Sequence, residues 1–68
     1  MEFELGQKEF IELNKLLKLL GWAESGGRAN LFISEGDVNV NGEAEFRKRK
    51  KLVKGDIVEF MDLKVIVK

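Results

Sequence analysis

One change of hydrophobic period divides this chain and limits what it can fold into. From Phe10 onward, Phe10, Leu13, Leu16, Leu17 and Leu20 recur at helical spacing, with Glu12, Lys15 and Lys18 on the other side. From Val38 the period drops to two. Val38 and Val40 alternate with Asp37, Asn39 and Asn41, and Ala44 and Phe46 resume the inward alternation. Helices first and strands afterwards is the order of an α+β chain. With 68 residues there is room for one hydrophobic core and not a second. The expectation is a single domain over residues 1–68, its core at about 10–60.

The punctuation agrees with that division. Gly21 supplies a left-handed stop for the first helix, and Trp22 is placed to pack back on its last turn. Ser25 reads as the N-cap of a second helix running through Arg28, Ala29, Phe32 and Ile33 to Glu35, with Gly36 closing it. Asn41-Gly42 is a hairpin-turn signal, and Lys54-Gly55-Asp56 marks a further turn. Ile57–Phe60 and Leu63–Val67 read as strands around Met61-Asp62. The first nine residues, with Phe3 and Leu5 alternating, suit a short edge strand or a loose arm. The predicted architecture is a two-helix hairpin packed on a small antiparallel sheet, with Trp22, Phe32, Phe46 and Phe60 in the core.

Composition removes whole classes of chemistry. The chain has no cysteine and no histidine. Disulfides, thiolate metal sites, the usual zinc sites and Ser/Cys–His catalytic pairs are therefore unavailable. Asp56 and Asp62 read as turn residues, and no carboxylate pair stands out as an acid/base couple. This points to a binding module rather than an enzyme, with no cofactor and no small-molecule substrate. Apolar runs are two to three residues long, against about 20 for a membrane span. The start Met1-Glu2-Phe3-Glu4 is acidic where a signal peptide would be basic. A cytoplasmic location is expected, without membrane attachment. No long apolar stripe demands a partner, so a monomer is expected too.

The net charge of zero conceals a polarity. Residues 1–45 hold four bases and nine acids, whereas residues 46–68 hold eight bases and three acids. The cations concentrate in Arg47-Lys48-Arg49-Lys50-Lys51. Five adjacent like charges repel one another, so folding alone gives no reason to collect them. An anionic partner does. If the run is extended, alternate side chains point to opposite faces. No aromatic is interleaved, which favours contacts to phosphates and shape over a single-strand stacking platform. A second feature is Ser25-Gly26-Gly27-Arg28. A helix start exposes unpaired amides, the two glycines leave them open, and Arg28 is placed to close over the same anion. Lys15 and Lys18 extend the patch along the first helix. The alternative reading is a module using this face to dock on an acidic protein partner, for example a ribosome-associated one.

Three stretches together resemble a known family: Leu13-Asn14-Lys15-Leu16-Leu17, Ser25-Gly26-Gly27-Arg28-Ala29, and Glu35-Gly36-Asp37-Val38-Asn39-Val40-Asn41-Gly42. They are similar to the RNA-binding domain named after ribosomal protein S4, and more narrowly to the short stand-alone bacterial proteins of that type. Arg47-Lys48-Arg49, Lys54-Gly55-Asp56 and Ile57-Val58 fit its closing part. The resemblance implies the αL fold and a non-catalytic module for structured RNA, ribosomal or transfer. It places Lys15, Lys18, Ser25, Gly26, Gly27, Arg28, Asn30, Arg47, Lys48, Arg49, Lys50 and Lys51 on the RNA-facing surface. Many family members carry Lys or Arg where Asn30 stands, so the resemblance also implies that the basic run carries more of the affinity here.

Overall fold

The first helix starts three residues later than the hydrophobic spacing suggests. In the computed structural model, which describes all 68 residues, Ile11–Glu12 form a short strand (β2) and the helix α1 runs from Leu13 to Leu19. β2 pairs antiparallel with a second two-residue strand from the far end of the basic run, setting Ile11 opposite Leu52 and Glu12 opposite Lys51. That pairing buries both Ile11 and Leu52. It leaves Phe10 outside the helix and 39% exposed. The expectation that Phe10 opens the first helix on its inward face is corrected: burying Ile11 through the ribbon takes precedence over extending the helical period.

At seven residues, α1 is too short to be stable alone and depends on packing. Leu13, Leu16 and Leu17 are fully buried. Gly21, at φ 77°, takes the left-handed conformation that ends the helix, and the Trp22 amide donates back to the Leu17 carbonyl. Helix α2 spans Gly26–Ser34 and buries Ala29 and Ile33 against the same core. Its N-cap is Ser25, whose Oγ accepts from the Arg28 amide at 3.2 Å.

The main sheet holds five strands: β1 (Glu2–Phe3), β3 (Val38–Val40), β4 (Glu43–Ala44), β6 (Ile57–Phe60) and β7 (Leu63–Val67), while Lys51–Leu52 is β5 of the ribbon. Its order is β1-β7-β6-β3-β4. The sheet is mixed and not purely antiparallel, because the N-terminal strand β1 lies parallel to β7. Asn41-Gly42 forms the two-residue hairpin between β3 and β4, both residues at positive φ. The Asn41 side chain links this hairpin to the next turn. Its Nδ2 donates to Asp56 Oδ1 at 3.1 Å and its Oδ1 accepts from the Ile57 amide at 2.9 Å.

Fifteen buried side chains make one core between the helices and the sheet, with Trp22 and Phe32 packed half-buried against it and Phe60 inside it. Phe46 is a correction. It is 61% exposed, because β4 is an edge strand that the chain leaves after Ala44. Its ring covers Gly36 instead; a Cβ there would stand 3.2 Å from Phe46 Cε1.

Candidate nucleic-acid interface

The basic run is a turn, not an extended strand. After β4 the Glu45 amide donates to the Val38 carbonyl at 2.9 Å, and the Lys50 amide donates to the Arg47 carbonyl at 3.2 Å. The chain then returns as β5. The turn also closes the first helix: the carbonyls of Lys50 and Lys48 accept from the Leu13 and Asn14 amides at 2.9 and 3.0 Å. These amides are among those that a helix start leaves unpaired, and Glu12 at the N-cap makes no side-chain cap. The backbone carrying the cations is thereby fixed to α1. Packing positive side chains near the positive end of a helix is electrostatically unfavourable. Stability does not account for their place.

Two of the five cations have carboxylate partners. Arg47 makes a two-pronged contact with Glu45, Nε to Oε2 at 2.9 Å and Nη2 to Oε1 at 3.1 Å. Arg49 Nε stands 3.8 Å from Glu12 Oε2. Lys48, Lys50 and Lys51 have no carboxylate within salt-bridge range. Arg47, Arg49, Lys50 and Lys51 alone line a shallow depression of about 480 Å³. A hollow walled only by cations suits an anion and little else.

The second helix meets this turn through a pair of asparagines. Asn14, whose amide is held by Lys48, donates from Nδ2 to Asn30 Oδ1 at 3.0 Å. Gly26 lies four residues before Asn30, on the same face and about 6 Å along the axis. Added Cβ atoms would find open space at Gly26 and only Ser25 Oγ, at 3.8 Å, at Gly27. Packing does not require either glycine. The structure thus joins the basic turn, Asn30 and the glycine-opened helix start. Arg28 is not part of that arrangement. It lies about 160° around α2 from Asn30, its guanidinium 5.5 Å over the Phe32 ring. Lys15 and Lys18 are exposed along α1.

Against this geometry, the sequence model of one family, described as the S4 domain, matches residues 3–68. The chain belongs to the S4 domain family. It is 52% identical over 58 residues to an Escherichia coli (strain K12) protein named "Putative RNA-binding protein YbcJ", covering 85% of this chain and 83% of that one. It is 47% identical over 51 residues to the Bacillus subtilis (strain 168) protein named "Probable ribosome maturation protein RlbA", covering 75% of this chain and 72% of that one. The solution structure of YbcJ from E. coli, described as revealing an αL motif involved in RNA-binding, superposes with a TM-score of 0.73 at 48% identity. That match covers 97% of this chain and 84% of the other.

Several residues that shape this S4 domain surface escape a reading of the sequence. Asn14 joins the turn to both helices, and nothing in its local pattern marks it. Glu45 is legible in hindsight, since positions two apart lie on one side of an extended chain and bring it beside Arg47. The hydrogen bond from the Arg47 guanidinium holds the Glu45 carboxyl below its ordinary 4.5, against a smaller opposing effect of burial, and the same contact raises the Arg47 guanidinium further above its ordinary value. With its carboxyl depressed, Glu45 contributes stability that is present above pH 4.5 and lost as pH falls through the lowered value. Arg47→Ala is expected to return the Glu45 titration to about 4.5, followed by NMR of its side-chain carboxyl. An unchanged titration would mean that the pair does not form in solution.

Proposed function

We propose that this chain is a non-catalytic RNA-binding module for structured RNA, ribosomal or transfer, acting as a monomer in the cytoplasm. The contacts run through the basic turn Arg47–Lys51, with Lys15, Lys18, Asn30 and the start of α2 at Ser25-Gly26-Gly27 alongside. Arg28 borders this surface from the other flank of α2. The observation that carries the reading is the all-cation hollow on a backbone pinned to α1. The backbone of the turn is already fixed, so little backbone ordering is lost when phosphates arrive. Kinship supports RNA as the anion, and the name of the Bacillus subtilis relative supports the ribosomal choice.

Binding of this kind releases counterions and is steeply salt-dependent. Arg47 is held by Glu45 at 2.9 Å, whereas Arg49 stands a looser 3.8 Å from Glu12, so Lys48, Arg49, Lys50 and Lys51 are taken as the four phosphate contacts. Titration of a ribosomal RNA hairpin across salt concentrations is expected to give a log–log slope of about −3. A slope near zero removes the basic turn from the interface. Persistence of a cellular partner after nuclease treatment would instead favour docking on an acidic protein.

A further inference from the structure

The segment from Gln7 to Glu12 and the outer side of α1 enclose a groove of about 690 Å³, with Phe10, Lys15 and Leu19 in its walls. Pairing of β2 with β5 brings Lys51 of the basic turn to the same place, its ammonium 4.9 Å from the centre of the Phe10 ring. Phe10 takes no part in the core, and it stands 39% exposed at the point where the cationic surface meets the groove. Leaving a large ring outside the core forgoes the stabilisation its burial would bring. The ribbon pairing fixes where the ring stands, and a planar ligand beside a phosphate-binding turn would cover the face that the core leaves open.

We propose that this groove receives a single unpaired nucleotide of a structured RNA, its base stacked on Phe10 and its phosphates met by Lys51 and Lys15. The inference rests on the RNA-binding reading and adds to it a site for one flipped-out base. An exposed cation–π contact is weaker than a base stacked on an aromatic ring. An arriving base therefore displaces the Lys51 ammonium from the ring and releases it toward the nucleotide's own phosphate. The acidic side chains in the groove do not prevent this. Glu12 faces Arg49 at 3.8 Å, and Lys8, Lys15 and Lys51 outnumber the remaining Glu9. Recognition of folded RNA through unstacked bases at bulges and loops is a general strategy, because the deep groove of the paired helix is closed to side chains.

Two RNA hairpins with identical stems, one fully paired and one carrying a single bulged nucleotide, separate the outcomes. The native chain is expected to favour the bulged hairpin about tenfold. Phe10→Ala is expected to abolish that preference while leaving affinity for the paired hairpin and its salt slope unchanged, and Phe10→Trp to retain it. With the native chain, 2-aminopurine at the bulge is expected to lose fluorescence on binding as it stacks. Equal affinity for the two hairpins, both bound with a steep salt slope, overturns the nucleotide site and leaves the RNA-binding reading standing. Salt-independent or absent binding of both hairpins overturns the two together. An unquenched 2-aminopurine in a bound hairpin overturns the stacking role of Phe10.

Discussion

Replacing Lys48, Lys50 and Lys51 together by alanine is expected to lower affinity for structured RNA about 100-fold near 0.15 M salt. Counterion release makes each phosphate contact worth about fivefold at that concentration relative to 1 M, so three contacts multiply to roughly that factor. The log–log salt slope should flatten by about 2 to 3 in the same measurement. These three lysines are the appropriate set because no carboxylate stands within salt-bridge range of them. Their side chains also lie outside the core, and the carbonyls that hold α1 belong to the backbone, so alanine keeps the turn. Lys64→Ala, on β7, should change neither affinity nor slope. An unchanged slope in the triple variant would transfer the phosphate contacts away from the turn altogether.

Leu52→Ala should unfold a sizeable fraction of the protein. Leu52 is fully buried, and it is the residue through which the ribbon below the basic turn enters the core. Truncating a buried leucine costs about 2–5 kcal/mol. A domain of this size has a total stability of only about 3–10 kcal/mol at the usual value per residue. The midpoint of thermal unfolding should fall by about 10 °C or more. Val53→Ala, one residue on and 48% exposed, should stay within about 0.5 kcal/mol of the native chain in urea unfolding. If Leu52→Ala costs less than about 1 kcal/mol, the ribbon lies outside the cooperative unit, and the turn it supports is not held as firmly as its hydrogen bonds indicate.

Local signals in the sequence carry most of the fold. Ser25 as N-cap, Gly21 and Gly36 as helix stops and Asn41-Gly42 as a hairpin all act through their own backbone, so their roles are visible without knowing what lies beside them. What the sequence hides is long-range. The β2–β5 ribbon joins residues 39 and 41 positions apart, in two pairs only, too briefly to leave a periodic trace. That one pairing accounts for the late start of α1 and for the exposure of Phe10. Phe46 deceives for a related reason: its alternation continues past the end of a strand that has only two residues.

The candidate site divides along the same line. A block of five cations is evident from charge alone. Its shape as a turn depends on Leu13 and Asn14 donating into it, which no run of lysines announces. The connection to α2 passes through Asn14 and Asn30, two uncharged residues whose meaning comes only from their contact. Arg28 lies over Phe32, four residues on along α2, a contact that its charge alone does not announce.

The parallel pairing of β1 with β7 has a further consequence. It brings the two chain ends together, with Lys68 accepting from Leu5, donating to Phe3 and bridging Glu2 at 2.9 Å. They share one border of the sheet, while the cationic turn departs from β4 at the other, four strand spacings or roughly 19 Å across. Polypeptide joined at either end would therefore leave the sheet at the border opposite the one from which the cationic turn departs.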